Sequence, residues 1–465
     1  MNIRDRKPES HHVVIIGGGF GGLYAALALG RAPVRITMVD RENHHLFQPL
    51  LYQVATGGLA LEDITSPLRS VLSCQKNTRV LQAEVTGFDP HARRVLLKDG
   101  GSIGYDTLIV AAGAVDRYFG NRHWAQAAPG MKSGWDALEL RDRIFQAFEQ
   151  AEWAQDERER QRFMTFAIVG GGPTGVELAG ALAELAHHTL PGDFRNIRTR
   201  DARIVLLEAG SRVLAAFPQR LSLEAERSLR TLGVTVYTGA TVEHIEPGRV
   251  VFRREAAVHE IAAETIIWAA GVKASPLASA LAEATGAELD RQGRLIVAPD
   301  LSVPGWPEIL VIGDMAHFAH GLKSPLPGIA PVAIQQARYA ARLIQARMDG
   351  RVLPVFRYRD RGMMAVIGRH RAVVNTPVLR FGGPLAWFVW LFLHVMYLVE
   401  FENRLVVLVQ WAWNYFTRRR GGRLILRMEQ RKKLQTASRE TVESQAAGSD
   451  RQPVSGNPTS ELLRS

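Results

Sequence analysis

The 465-residue chain contains one cysteine, Cys74. An intramolecular disulfide is therefore excluded, and so is any mechanism that moves electrons through a cysteine pair. Metal-ligand spacing is also scarce. His44 and His45 are adjacent, but no further His/Cys/Asp set at ligand spacing joins them, so no metal is expected. A basic face suited to nucleic acid is missing. The net charge is +11, yet 11 Lys/Arg against 5 Asp/Glu fall between Thr417 and Ser465, which leaves the body only mildly basic. The opening MNIRDRKPES has no apolar signal region, which predicts a cytoplasmic chain or one attached to a membrane from its cytoplasmic side.

What the chain does have is one design written twice. HVVIIGGGFGGLYAALAL (His12 to Leu29) is an apolar run, a glycine cluster and a small-residue helix; FAIVGGGPTGVELAGALAEL (Phe166 to Leu185) repeats that order. Each copy closes on a similar strand, DTLIVAAGAV from Asp106 and ETIIWAAGVK from Glu264. Gly17 precedes Ala111 by 94 residues and Gly170 precedes Ala269 by 99. Matched motifs at matched distance predict an α/β chain with two tandem Rossmann-like dinucleotide-binding domains.

In each copy a strand delivers Gly-x-Gly-x-x-Gly: Gly17, Gly19 and Gly22, then Gly170, Gly172 and Gly175. The first glycine permits a tight turn, the second lets a pyrophosphate approach the backbone, and the third lets helix and strand pack closely. The helix N-terminus offers its free N–H groups to the phosphates. A second strand ends in an acid suited to a ribose: Asp40 in the first copy, Glu208 in the second. A carboxylate there accepts from a 2′-OH and repels a 2′-phosphate, which favours NADH over NADPH; Arg212 nearby works against that preference. A solvated strand end is the plain alternative for either acid. Two sites suggest one tightly held FAD, in the first copy, and one exchangeable NADH. LVIGDMAHF returns the chain to the first copy, where Asp314 can reach the ribityl or phosphate region or cap the next helix.

These residues resemble the type II NADH:quinone oxidoreductase family. The resemblance rests on GGGFGGLYAALAL, HHLFQPLLYQVATGGL, GGGPTGVELAGALAELAHH, VIGDMA and APVAIQQARYAA, and runs from about His12 to about Arg420. It implies that Gly17, Gly19, Gly22, Asp40, Gln48, Ala112, Gly113 and Asp314 hold FAD. It implies that Gly170, Gly172, Gly175, Glu177, Glu208 and the segment around Gly271 hold NADH, and it puts quinone beside the IQQ helix. The domains expected are residues 11–120 and 295–350 for FAD and 160–275 for NADH. A helical membrane-associating region at 380–420 and a disordered tail at 434–465 complete the chain.

Such chemistry suits a sequence with few reactive side chains, because the cofactors carry the reaction and the protein aligns them. In PGIAPVAIQQARYAARLI there is no acid, histidine or nucleophile. The helix can act through its end, with N–H groups facing the flavin edge where charge develops. Ala330 permits close approach. Pro331 stands where many family members have Gln, which leaves Gln335 as the quinone-site candidate, against a role as a packing amide. Glu177 is the other catalytic candidate. It lies three residues after Thr174, so a Thr-x-x-Glu capping box competes with a place beside the nicotinamide and flavin.

FGGPLAWFVWLFLHVMYLV (Phe381 to Val399) is borderline for a membrane span, and LVVLVQWAWNYF is too short for one. One continuous helix from Leu385 to Phe416 would put Glu400, Glu402 and Arg404 in mid-membrane. With interfacial tryptophans and a following TRRRGGR, the reading favoured is an anchor lying in one leaflet of an anionic membrane surface and feeding quinone to the flavin. A single-pass helix and an apolar homodimer interface are the alternatives. The function expected is non-pumping NADH oxidation with quinone reduction. A sulfide:quinone oxidoreductase would need the missing cysteine pair. An NADH-responsive flavin sensor or assembly factor, or a soluble reductase of a small electron carrier, are the other readings.

Overall fold

The computed structural model describes residues 10–399, 401–417 and 420–426. The tail expected at 434–465 lies outside the described residues. Two parallel sheets carry the two glycine motifs. The first has six strands in the order Ser302–Val303, Trp306–Val311, Thr107–Val110, His12–Ile16, Arg35–Asp40, Thr78–Gln82. All its pairings are parallel except that of Ser302–Val303 with Trp306–Val311. The second has four parallel strands in the order Val234–Thr238, Arg203–Glu208, Thr165–Val169, Thr265–Trp268.

The central strands HVVII and TFAIV are buried at every position. Strands covered on both faces read as continuous apolar runs, which is why no alternation appears in the sequence. One face of the first sheet is covered by helix Phe20–Leu29, itself packed on helix Ala330–Met348. Leu23, Ala26, Ala337, Ala340, Ala341 and Ile344 share one core with the strands. Small residues on both helices let their backbones approach.

The duplication extends beyond the glycine loops. Before each closing strand sits an antiparallel three-stranded sheet, Val85–Asp89/Arg94–Leu97/Ser102–Gly104 in the first copy and Ala240–Glu246/Arg249–Arg254/Ala257–Ala262 in the second. These inserts account for the matched spacing of about a hundred residues. After each closing strand comes a short connecting strand, Ala114–Asp116 or Val272–Ala274, and the two pair antiparallel.

The C-terminal region begins with an antiparallel sheet, Met363–Gly368, Arg371–Asn375 and Arg380–Gly382. Two helices follow, Pro384–Tyr397 and Phe401–Thr417. The span considered at Phe381–Val399 is thereby corrected: Phe381 belongs to a strand, and the helix has 14 residues. At 1.5 Å per residue it measures about 21 Å, short of a hydrocarbon core of about 30 Å. The continuous helix from Leu385 to Phe416 is also absent. The chain breaks after Tyr397, and Arg404 donates through Nε to the Leu398 carbonyl at 2.7 Å, holding the corner. No helix among the described residues is long and apolar enough to cross a membrane.

Candidate functional site

The glycines of each loop divide their labour in the same way. Gly17 has φ +98° and Gly170 has φ +112°, a left-handed backbone that disfavours any side chain. A Cβ on Gly17 would lie 2.4 Å from the Ala111 carbonyl oxygen, and one on Gly170 would lie 2.4 Å from that of Ala269. Gly22 and Gly175 abut the turn itself, since their Cβ atoms would meet the Gly17 and Gly170 oxygens at 1.8 and 1.9 Å. At Gly19 and Gly172 nothing lies within 4 Å. Each loop is therefore clamped by its first and third glycines, while the middle one faces open space at a helix N-terminus.

The strand-end acids close the loops from the other side. Asp40 accepts from the Gly18 amide at 2.5 Å and from Glu42 at 2.7 Å. Glu208 accepts from Gly171 at 2.5 Å and from Gly210 at 2.6 Å. Neither acid is merely a solvated strand end. A carboxylate oxygen has a second lone pair, so both acids can also receive a ribose hydroxyl. Arg212 does not compete at this position, because its guanidinium donates to the carbonyls of Phe217 at 2.6 Å and Ala215 at 2.7 Å.

Asp314 follows Gly313, which has φ +70°, at the end of strand Trp306–Val311. It caps no helix: helix Ala330–Met348 has Ile329 at its cap position and no side-chain cap bond. Its carboxyl makes no hydrogen bond among the described residues. Burial pushes its pKa up, while Lys132 and Arg294 pull the other way. A partly enclosed carboxyl without a donor, beside a loop with an open middle glycine, fits a ligand that brings hydroxyls to the carboxyl and phosphate to the loop, such as FAD. Gly113 (φ +69°) and Ala112 extend the closing strand past the same loop, and Ala330 opens the helix that packs there. Gln48 is exposed and donates to the Lys132 carbonyl at 3.2 Å. In the second copy Gly271 has φ +134°, and its carbonyl accepts from Arg117.

The paired glutamines separate. Gln336 is fully buried and accepts from the Gly313 amide through Oε1 at 2.7 Å; its Nε2 has no partner. Gln335 is turned the other way. Its Nε2 donates to the Arg359 carbonyl at 2.9 Å and its Oε1 accepts from the Arg359 amide at 3.0 Å. With both ends of its amide held by backbone, Gln335 is a packing amide, and the quinone-contact reading is corrected on that ground.

Glu177 is not a helix cap. Helix Pro173–Glu184 has Gly172 at its cap position with no side-chain cap bond. The carboxyl instead accepts a backbone hydrogen bond from Val366. The residue as a whole is half-buried, but its carboxyl is enclosed by protein, and this desolvation pushes its pKa up to about 8. It lines a cavity of about 750 Å³. One wall is helix Pro173–Glu184, and a second is Tyr52, Gln53, Thr56 and Gly58. A third is the hairpin turn Val366 to Arg371, and the last is formed by Trp387, Trp390 and Trp411 on the C-terminal helices.

The C-terminal segment borders this cavity through a series of hydrogen bonds to residues 53–58, the end of helix Leu51–Ala55 and the turn after it. Trp411 Nε1 donates to Gln53 Oε1 at 2.7 Å, Asn414 to the Gly58 carbonyl at 3.0 Å, and the Gly422 amide to the Gly57 carbonyl at 3.2 Å. Arg420 donates to the Thr56 carbonyl at 3.1 Å and sits 3.6 Å from Glu184; Arg423 pairs with Asp193. These two arginines of the TRRRGGR run thus face the protein, which corrects their reading as headgroup ligands. Residues 418 and 419 lie outside the described residues. His187 donates through Nδ1 to the Leu232 carbonyl at 3.0 Å within a π-turn at the end of its helix, and His188 lines the cavity.

The Pyridine nucleotide-disulphide oxidoreductase profile matches residues 11–337, and the NDH2 C-terminal domain profile matches residues 361–420. The chain is 46% identical over 424 residues to the type II NADH:quinone oxidoreductase Ndh of Mycobacterium tuberculosis, covering 90% of each chain. This chain belongs to the type II NADH:quinone oxidoreductase family. A second relative from that organism, the type II NADH:quinone oxidoreductase NdhA, is also 46% identical, over 90% of this chain and 91% of its own. The fold matches a structure of NDH2 from Plasmodium falciparum in complex with NADH at a TM-score of 0.80 and 20% identity, covering 90% of this chain and 100% of that one. Cys74, the one cysteine of the chain, is exposed and has no second cysteine to pair with.

The functional residues that sequence reasoning missed are Trp411, Arg420 and the turn Val366 to Arg371. The tryptophans were legible as an interfacial cluster. What the sequence hid was that Trp387, Trp390 and Trp411 turn inward to line the cavity, and that a hairpin nearly two hundred residues after Glu177 packs onto the helix carrying it.

Proposed function

We propose that this chain oxidises NADH through bound FAD and reduces a membrane quinone, without translocating protons. The observation that carries this reading is the aromatic-walled cavity with a buried carboxyl, Glu177, in one wall and the C-terminal helices in another. FAD, when bound, supplies the two-electron exchange between nicotinamide and quinone.

The protein's own residues then bind and orient. Gly17, Gly19, Gly22, Asp40, Ala112, Gly113, Asp314 and Ala330 frame the FAD site. Gly170, Gly172, Gly175, Glu208 and Gly271 frame the NADH site. The carboxylate of Glu208 and the engaged guanidinium of Arg212 favour NADH over NADPH. Glu177 holds a proton at neutral pH, because its environment is too dry to stabilise the carboxylate. The aromatic walls suit a flat, apolar head group.

Quinone is stored in lipid, and the outer face of the C-terminal helices is suited to meet it. Phe392 is 62% exposed, Trp413 62% and Phe416 82%, with Leu385 and Phe388 beside them. Such a face lies in the interfacial layer by apolar burial, monotopically, on the cytoplasmic side of the membrane. A homodimer is the competing use of the same face.

The test is steady-state turnover in detergent. NADH oxidation should accelerate many-fold when a short-chain quinone is added. Turnover that is indifferent to quinone would sink the reading.

A further inference from the structure

Gln53 stands between two partners of unequal hydrogen-bonding capacity. On one side is Trp411 Nε1, 2.7 Å from Gln53 Oε1. On the other is Tyr52 Oη, 2.9 Å from Gln53 Nε2. An indole N–H can only donate, so the oxygen of Gln53 must face it. That choice fixes the amide and turns its NH₂ toward Tyr52. The tyrosine oxygen is thereby made an acceptor, and its own proton must point elsewhere.

Nothing among the described residues receives that proton. Tyr52 is 5% exposed and lines the cavity, and its hydroxyl makes no hydrogen bond other than the one from Gln53. A buried hydroxyl with an unused donor is costly unless a ligand takes it. Each bond in such a chain also polarises the next, so a hydroxyl that already accepts is a better donor.

We propose that Trp411 and Gln53 are positioning residues that hold the Tyr52 hydroxyl as a hydrogen-bond donor to a carbonyl oxygen of the quinone in this cavity. The proposal rests on the reading that the cavity takes quinone, and it names which protein group recognises the carbonyl. It also gives the C-terminal helix a part in recognition: Trp411 sets the polarity of a chain that ends on the substrate. A donor at this point stabilises the carbonyl oxygen increasingly as it gains electron density during reduction.

The experiment compares two electron acceptors, a short-chain quinone and ferricyanide, in Tyr52→Phe, Gln53→Glu and Trp411→Phe holoenzymes. Tyr52→Phe deletes the donor. Gln53→Glu keeps the shape but can only accept, so it draws the tyrosine proton to itself and away from the cavity. Both should lower kcat/KM for the quinone about three- to tenfold, the range for one neutral hydrogen bond. Trp411→Phe, which frees the amide to flip, should lower it by less. Ferricyanide reduction should change much less than quinone reduction in all three.

FAD content identifies any variant that fails to assemble. If Gln53→Glu does so, Trp411→Phe and Tyr52→Phe carry the test. Tyr52→Phe with wild-type kcat/KM for the quinone overturns the donor role. A damaged Tyr52→Phe beside an unaffected Gln53→Glu or Trp411→Phe overturns the positioning role. Wild-type protein that reduces ferricyanide but no quinone overturns the functional reading, and this proposal with it.

Discussion

Gln336 and Gly313 are joined by a 2.7 Å hydrogen bond from the glycine amide to the buried side-chain oxygen. The bond ties the first turns of helix Ala330–Met348 to the strand end that presents Asp314. Gln336→Leu leaves the Gly313 amide without its partner and should destabilise the fold by about 1–3 kcal/mol. Looser FAD retention should accompany it. Thermal midpoint and the flavin-to-protein ratio measure both, and wild-type values for the two would remove this role from Gln336.

Glycine substitutions separate folding from cofactor binding. Gly19 has φ −71°, and a Cβ there meets no protein atom, so Gly19→Ala should fold with the stability of the cofactor-free wild type. Its FAD content should fall, because the methyl enters the space at the helix N-terminus. Gly22→Ala brings a Cβ to 1.8 Å from the Gly17 oxygen and should impair folding itself. Gly172→Ala should do for NADH what Gly19→Ala does for FAD. Full FAD retention by Gly19→Ala would mean that the space belongs to something else.

Glu177 makes stability depend on pH. In the unfolded chain its carboxyl loses its proton near pH 4.5, whereas the native enclosure holds the proton to about pH 8. Between these values the native state binds more protons than the unfolded one, so this group's contribution to stability falls as pH rises and levels off above about 8. Glu177→Gln cannot ionise, and its thermal midpoint should decline less than that of wild type from pH 5 to 8. It should retain FAD while NADH-driven flavin reduction slows. Parallel melting curves against pH for the two proteins would contradict the buried-acid assignment.

Arg420 and Glu184 form a mostly enclosed pair, with side chains 13% and 22% exposed at 3.6 Å. Arg420→Met leaves the Glu184 carboxylate with the Arg369 amide but no countercharge, and should cost on the order of 3 kcal/mol. Adding Glu184→Gln should recover a large part of the loss. A double-mutant cycle on thermal midpoints reads the coupling, and simple additivity would show that the pair acts only as separate surface charges.

Short-range signals carried most of the fold. The glycine loops and their strand-end acids Asp40 and Glu208 lie within single βαβ units, where local chemistry dictates geometry, and the closing AAG strands, about a hundred residues on, were legible because they repeat. What the sequence could not supply was direction. Gln335 and Gln336 are neighbours of identical composition, and only the helix phase against strand Trp306–Val311 decides which one is buried. Arg420 sits in a basic run that looks suited to lipid, yet burial beside Glu184, 236 positions earlier, turns it inward. The Thr174–Glu177 spacing matched a capping box, but the helix starts at Pro173, so neither residue is placed to form one.

The most direct test of electron transfer from NADH to quinone is a sequential-mixing experiment without oxygen. The FAD-loaded protein is mixed first with one equivalent of NADH and then with a short-chain quinone, while flavin absorbance is followed. The flavin should bleach on NADH and recover fully on quinone, at rates at least equal to steady-state turnover. Bleaching that persists after quinone is added would contradict the account.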